Sequence, residues 1–269
     1  MRYVIDHDFH IHSGLSLCSK NPLQNRDTIL KYAEENGLKT IVITDHFWDE
    51  DVVIEEPELL SFYKRQGYDH IKEILPLPQG KNTKFLFGAE TDMTYKYTIG
   101  VGERVLSELD FIIIPTTHMH MTGFAISEED AVSPERRAKV WINKLGALLS
   151  AKLPFRKIGL AHLACPLIAP TREEYLELLR LLPENELRRL FRRAAELGMG
   201  IELNQSDFSY KDEEADTVLR PFLIAKSEGC KFYLGSDAHH PEGFEKTISV
   251  FNKAVDALSL KESDKFILS

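Results

Sequence analysis

The segment Asp8-Phe9-His10-Ile11-His12-Ser13, which follows the apolar run Tyr3-Val4-Ile5, decides how the rest of this chain is interpreted. His10 and His12 are two residues apart, and in an extended chain such residues point to the same face. Two adjacent imidazoles at the end of a strand can bind one divalent metal ion. Because histidine pairs also arise by chance, a metal site is predicted only if other strands supply further ligands.

The composition is that of a soluble globular protein acting on a small substrate. The chain has 269 residues, of which 43% are hydrophobic and 28% charged, enough for a large core. Its formal net charge is −9, and no basic stripe is evident, so binding of nucleic acid is not expected. Three cysteines (Cys18, Cys165 and Cys230) without CxxC spacing favour a reducing cytoplasm. The longest apolar stretch, 158–170, is too short to span a membrane.

Runs of β-branched and aromatic residues alternate with helical patterns along the whole chain. Strands are predicted at 3–8, 39–44, 84–90, 110–115, 157–161, 200–204 and 230–235. Helices are predicted between them, and one of these is expected over 57–75. This alternation implies right-handed crossovers and a parallel sheet. With no linker to divide the chain, residues 1–269 are expected to form one α/β domain, a closed or nearly closed TIM-like (β/α)7 barrel.

Polar side chains follow every predicted strand, at the end where such barrels carry their chemistry. They are His10 and His12, Asp45 and His46, Glu90, His118, His162, Asn204, and Asp237 and His239. Each one alone is explained by a helix cap, a turn or a solvated strand end. Chance does not select the same end of seven successive strands, however. The sequence therefore predicts a cluster that binds two or three divalent ions, with His118 preferred over His120.

Four of these stretches resemble the motifs of the polymerase and histidinol phosphatase (PHP) family. They are residues 8–13, Thr44-Asp45-His46, Gly88-Ala89-Glu90 and Gly235-Ser236-Asp237-Ala238-His239. His118 and His162 fall where the family places two further histidines. The resemblance covers nearly the whole chain and implies a distorted (β/α)7 barrel with two or three metal ions that hydrolyses phosphate esters. Length and the stretch 88–95 resemble the stand-alone histidinol-phosphate phosphatases more than the polymerase-linked members.

The resemblance also implies three sets of metal ligands that share residues. The sets are His10, His12, Glu90 and Asp237; then Glu90, His118 and His162, with Glu90 bridging; and finally His46 and His239. Where the family commonly completes the third set with histidine or aspartate, this chain has Leu17-Cys18. Cys18 is either a thiolate ligand, which would favour zinc or iron, or a spectator. Manganese is the remaining candidate metal.

The expected chemistry is hydrolysis of a small phosphomonoester by a hydroxide that bridges two of the ions. His239 or Asp45 is predicted to supply a proton to the leaving group. Arg172, just after the fifth strand, is the candidate substrate-binding cation, with Arg136 and Arg137 as further candidates. Each arginine is equally explained as a solvated helix residue.

Three other functions fit the same residues. One is a phosphodiesterase or nuclease of the same family, although the acidic net charge disfavours it. Another is a carbon–nitrogen hydrolase on a similar metal barrel, but such enzymes often carry a lysine near the metals and no predicted strand ends in one. The last is a metal-binding regulatory module without catalysis. The sequence leaves the natural substrate and the oligomeric state open.

Overall fold

The computed structural model describes residues 1–54 and 57–268, and its seven strands form one parallel sheet in chain order. The strands are β1 His7–Ile11, β2 Thr40–Ile43, β3 Lys84–Glu90, β4 Phe111–Ile113, β5 Ile158–Leu160, β6 Gly200–Asn204 and β7 Lys231–Gly235. Beyond β7, the amide of Asp237 donates to the carbonyl of His10 at 2.7 Å, and that of His12 to the carbonyl of Ala238 at 3.2 Å. These bonds bring the first and last strands together, so the predicted (β/α)7 barrel is confirmed and is nearly closed.

Helices cover the outside of the barrel. They are α1 Arg26–Glu35, α2 Tyr68–Ile71, α3 Glu103–Glu108, α4 Pro134–Ser150, α5 Arg172–Leu181, α6 Glu184–Leu197, α7 Ala215–Ser227 and α8 Thr247–Ala257. Side chains of Asn25, Ser133 and Thr171 accept hydrogen bonds from free amides at the starts of α1, α4 and α5. No helix within residues 1–54 and 57–268 is long and apolar enough to cross a membrane.

The interior of the barrel is packed at its N-terminal end. Phe9, Phe111 and Tyr233 form one buried cluster there, and Phe266 from the C-terminal segment joins it. The ring of Phe111 lies 5.2 Å from that of Tyr233 and 5.9 Å from that of Phe266, centroid to centroid. Because side chains fill the N-terminal end of the barrel, the polar residues at the C-terminal ends of the strands form a site that is closed toward the barrel interior.

The first strand is displaced from its predicted position, 3–8. Tyr3 does not belong to the sheet, because its amide and hydroxyl donate to the carbonyls of Leu260 and Phe232. The apolar run therefore packs on the C-terminal part of the chain, and β1 begins at His7. The pairing register with β2 shifts between Asp8 and Ile11, an irregularity that barrels often carry beside their active sites.

The prediction of a helix over 57–75 is also wrong. That segment consists of short 3₁₀ turns and the single turn α2. Gln66 explains the interruption, since its carbonyl accepts from the amide of Trp48 and its side-chain oxygen accepts from the amide of Leu17. The chain is thus bent to join neighbouring loops, which brings Phe62 and Tyr63 to the rim of the barrel.

Candidate metal centre

The ends of β1, β3 and β7 bring four of the predicted ligands together. The Nε2 atoms of His10 and His12 are 3.1 Å apart. Both lie 3.3–3.4 Å from Oε2 of Glu90, and both lie 3.1–3.3 Å from Oδ1 of Asp237. Four donor atoms within this span form a compact nitrogen–oxygen group that fits one divalent ion.

Glu90 also faces a second group of imidazoles. Its Oε1 atom lies 3.4 Å from Nε2 of His162 and 3.8 Å from Nε2 of His118. Its Oε2 atom lies 2.9 Å from Nδ1 of His46. A third group of close donor atoms consists of His12, His46 and His239. The carboxylate of Glu90 therefore stands between donor groups, in the position of a bridging ligand.

Four of the imidazoles have their Nδ1 atoms engaged by protein acceptors. The partners are Oε1 of Glu202 for His10 (2.6 Å), Oγ of Ser16 for His12 (2.9 Å), Oδ1 of Asp92 for His118 (3.1 Å) and the carbonyl of Asp237 for His239 (2.9 Å). A hydrogen bond of this kind places the proton on Nδ1 and leaves the Nε2 lone pair free. The rings are thus held in the tautomer that binds a cation through Nε2.

Several buried polar atoms at this centre have no hydrogen-bond partner among the residues that the structure describes. They are both carboxylate oxygens of Glu90, Oδ1 of Asp237, Nδ1 of His46 and Nδ1 of His162. Burying such atoms unpaired is costly, most of all for a carboxylate. Divalent ions would satisfy the oxygens, and a mixed histidine and carboxylate set suits zinc, manganese or iron. The residues present therefore fit the predicted metal centre.

The electrostatics of the cluster follow from its buried charges. Burial alone would lower the pKa of His162, but Asp237 and Glu90 outweigh it and raise the pKa to about 9. Burial would raise the pKa of Glu90, but His10 and His46 hold it well below its usual range. By contrast, burial and the neighbouring His12 lower the pKa of His239 to about 3. Negative carboxylates thus attract cationic charge to the centre, while His239 stays neutral.

Two of the predicted ligands have unusual backbone conformations. His162 has a φ angle of 57° and Asp237 one of 55°, in the left-handed region that residues other than glycine rarely adopt. Each lies two residues beyond the end of its strand, His162 after β5 and Asp237 after β7. Strain of this kind persists where the surrounding structure holds a side chain in a functional direction.

Asp45 and Cys18, two other predicted site residues, lie at the edge of this arrangement. Asp45 accepts bonds from the amide and hydroxyl of Ser13 and from the hydroxyl of Ser16, so both of its oxygens are occupied in holding the loop after β1. Cys18 lines the cavity, but among the described residues it belongs to none of the groups of close donor atoms. Burial, together with Glu90 and Asp237, raises the pKa of its thiol to about 12. Its role as a ligand stays a prediction.

Arg172 stands in a different environment from the predicted one. Its guanidinium forms a two-pronged ion pair with Glu214 and lies over the ring of Tyr175, 4.4 Å from the centroid. It is not among the residues that line the cavity. Substrate binding by Arg172 stays a prediction, and the contacts in the structure do not bring it to the metal centre.

Sequence reasoning missed the carboxylates that orient the rings. Glu202 binds Nδ1 of His10 and also accepts from the amide of His162 at 3.0 Å. Asn204, the residue that we expected at the end of β6, instead donates to Glu202. Asp92 binds His118 and accepts from the hydroxyl of Tyr63. The sequence offered one signal for these two carboxylates, which was their spacing from predicted site residues. Asp92 is two residues after Glu90, and Glu202 is two residues before Asn204.

A cavity of about 440 Å³ opens above the metal centre. Its lining combines the candidate ligands with a group of aromatic, apolar and other polar side chains. The lining residues are Cys18, His46, Phe62, Tyr63, Glu90, Asp92, His118, His120, Met121, His162, Leu167, Asp237 and His239. Its volume is that of a small-molecule site.

No protein-family model matches this chain, and no curated protein is significantly similar to it in sequence. Solved structures do resemble it. Histidinol phosphate phosphatase from Lactococcus lactis subsp. lactis Il1403, complexed with zinc, L-histidinol and phosphate, is 16% identical, with a TM-score of 0.57 and 93% of each chain covered. This chain shares its fold with that protein. The candidate histidinol phosphatase of Listeria monocytogenes is 12% identical, with a TM-score of 0.58, covering 91% of this chain and 100% of that one. Both confirm the fold that the PHP resemblance implies.

Proposed function

We propose that this protein is a hydrolase that cleaves a small phosphomonoester with the help of two or three divalent metal ions. The observation that carries the proposal is the position of Glu90. Both of its buried oxygens lack hydrogen-bond partners, and they face different groups of imidazoles. A phosphatase on this fold, the Lactococcus lactis protein, was solved with zinc and phosphate.

The residues that would hold the ions are those of the three groups of close donor atoms. They are His10, His12, His46, Glu90, His118, His162, Asp237 and His239. When bound, the ions would lower the pKa of water toward neutrality and offset negative charge on the phosphoryl oxygens. Glu202, Ser16 and Asp92 keep the rings of His10, His12 and His118 oriented, which prevents the lone pairs from turning away.

The leaving alkoxide needs a proton, for which Asp45 and His239 are the predicted donors. His239 lines the cavity, whereas Asp45 does not and is bound to Ser13 and Ser16. Because His239 is neutral and its Nδ1 proton is bound to the carbonyl of Asp237, its Nε2 atom carries no proton to give, and its role as the proton donor stays a prediction. The role of Asp45 is to hold Ser16, which accepts the Nδ1 proton of His12.

The cytoplasm is the proposed location. Cys18, Cys165 and Cys230 are all free thiols in the structure, which suits a reducing compartment. The proposed partner is a small phosphorylated molecule, and a long nucleic acid is disfavoured by the net charge of −9.

The direct test is an assay of the purified protein with defined metal content. Metal per chain is measured after loading with zinc, manganese or iron. Hydrolysis is then followed for a panel of monoesters, including histidinol phosphate, and for diesters such as bis(4-nitrophenyl) phosphate. We expect monoester turnover that chelation abolishes. If the loaded protein hydrolyses only diesters, the nuclease or phosphodiesterase alternative is correct, and binding without any turnover would indicate a regulatory module.

Two substitutions connect the activity to the assigned residues. Glu90→Gln should lower both metal content and activity, while Glu177→Gln on the exposed face of α5 serves as a matched control. Full activity and metal content in Glu90→Gln would disprove the bridging assignment. Cys18→Ser should lower the number of ions per chain if the thiol is a ligand, and an unchanged number would rule that out.

A further inference from the structure

One side of the cavity is formed by Phe62, Met121 and Leu167, which we call the apolar wall. The ring of Phe62 meets that of His46 edge-on, with centroids 5.5 Å apart. The amide of Met121 donates to the carbonyl of His118 at 3.1 Å. The wall therefore adjoins the candidate metal centre.

The two outer members of the wall are not core residues. Phe62 is 37% exposed and Leu167 is 44% exposed, although both are large and apolar. Leu167 lies in the 3₁₀ turn Pro166–Ile168, which follows the loop that carries His162. Apolar surface left open beside a cavity is typical of a ligand-binding surface.

Among the described residues, those that line the cavity include carboxylates but no lysine or arginine. Of its thirteen residues, Glu90, Asp92 and Asp237 are acidic, and the remainder are imidazoles, a thiol, a phenol and the apolar wall. A phosphate group would therefore depend on metal ions for its neutralisation. A second anionic group on the same substrate would meet no lysine or arginine among the described lining residues.

The arginines that the sequence suggested for substrate binding have their hydrogen bonds elsewhere. Arg136 pairs with Glu129 at 2.7 Å, and Arg172 pairs with Glu214. Arg137 is buried and donates to the carbonyls of Met119 and Ile168 at 3.1 and 3.0 Å. These two carbonyls belong to the segments that carry Met121 and Leu167, so Arg137 braces the apolar wall from behind.

We propose that the apolar wall is the subsite for the leaving group, and that it selects phosphomonoesters whose leaving group carries no anionic substituent. The inference rests on the proposed phosphatase function. An anionic group against the wall would lose water without gaining a cation, and the nearby carboxylates would repel it. An uncharged leaving group with an apolar face has no charge to desolvate. It gains free energy when its surface is buried against Phe62, Met121 and Leu167.

The test compares phenyl phosphate with 4-carboxyphenyl phosphate at pH 8, where the carboxyl group of the second ester is fully ionised. For the metal-loaded wild type, kcat/KM should be at least about tenfold lower for the carboxylated ester, because its charge is desolvated without a partner. Leu167→Arg should reduce this preference by about tenfold through a direct charge pair. Dividing the variant's preference by that of the wild type cancels the intrinsic reactivities of the two esters.

Two control variants separate local charge from other effects. Leu167→Gln adds polarity at the same place without charge, and should weaken the reaction with phenyl phosphate without improving that with the carboxylated ester. Leu181→Arg adds the same charge at an equally exposed leucine on α5, outside this cavity, and should leave the preference unchanged.

The outcomes separate this inference from the function on which it rests. Equal turnover of both esters by the wild type, or an unchanged preference in Leu167→Arg, would disprove the leaving-group subsite while the phosphatase function stands. Turnover of neither ester, nor of any other monoester, would disprove the proposed function and the subsite with it.

Discussion

Strand β1 carries a buried histidine toward each end of the barrel, and the two rings differ in what their Nε2 atoms face. At the N-terminal end, Nδ1 of His7 donates to Asp6 at 3.1 Å, while Nε2 accepts from the amide of Leu234, also at 3.1 Å. At the C-terminal end, Nδ1 of His10 contacts Glu202, but Nε2 faces a group of other ligand atoms. Burial lowers the pKa of His7, whereas buried carboxylates, led by Glu202, raise that of His10 against the effect of burial.

The comparison shows how a structural histidine differs from a candidate ligand in the same strand. Both side chains are buried, so exposure does not separate them. His7 has a protein partner for each ring nitrogen and needs nothing more. His10 presents an imidazole nitrogen to unpaired carboxylate oxygens, an arrangement that only a proton or a cation completes. The same residue type therefore supports the fold at one end and the proposed chemistry at the other.

The largest effect should come from replacing His10. We expect His10→Gln to lower kcat/KM for a phosphomonoester by about a thousandfold or more, because a proposed metal ligand is lost. Metal analysis and steady-state kinetics on the same preparation measure this effect. Wild-type activity with a full complement of ions would show that Nε2 of His10 binds no metal.

A smaller effect is expected at Glu202, which acts on His10 through its Nδ1 proton. Glu202→Gln should weaken metal binding by about 10- to 100-fold, because the neutral amide orients the ring less firmly and makes it less basic. Competition with a chelator gives the affinity. Excess metal should restore most of the activity, and a loss that no amount of metal reverses would place Glu202 in the reaction itself.

His7→Gln should affect stability rather than catalysis. Losing the bonds to Asp6 and Leu234 in a buried site should lower the free energy of unfolding by about 2 kcal/mol. Urea denaturation of the metal-free protein measures the change, with His10→Gln as the matched variant. If His7→Gln loses bound metal while remaining folded, the claim that His7 serves only the fold is wrong.

The smallest effect is a pH dependence at the N-terminal end. Burial would raise the pKa of Asp6, but hydrogen bonds from His7 and Lys265 outweigh it and lower the pKa to about 2. Since this is below the value of about 3.9 in an unfolded chain, Asp6 stabilises the fold above about pH 4 and loses this effect toward pH 2.

Asp6→Asn tests this dependence. The difference in unfolding free energy between wild type and Asp6→Asn should therefore shrink as the pH falls from 5 to 3. Urea denaturation at several pH values across that interval measures it, and a difference that grows with acidity would contradict the assignment.

The fold was predictable because strand and helix patterns alternate and parallel strands place their C-terminal ends on one rim. The same rule identified the ligand types at that rim, from His10 to His239. It failed where apolar residues pack on something other than the sheet, as Tyr3 does against the C-terminal segment. It also failed for 57–75, where Gln66 bonds to two distant loops rather than continuing a helix.

The sequence by itself determined the barrel and the clustering of histidines and carboxylates, since both follow from periodicity and from the direction of the chain. Only the tertiary structure decided which side chains orient the rings. Glu202 reaches His10 across 192 positions, a contact that no local pattern encodes. The tertiary structure also separated His7 from His10, because Nε2 of His7 accepts from Leu234 on β7 while Nε2 of His10 faces carboxylates from β3 and the end of β7. The bonding of a buried histidine depends on those neighbours rather than on its own position in the chain.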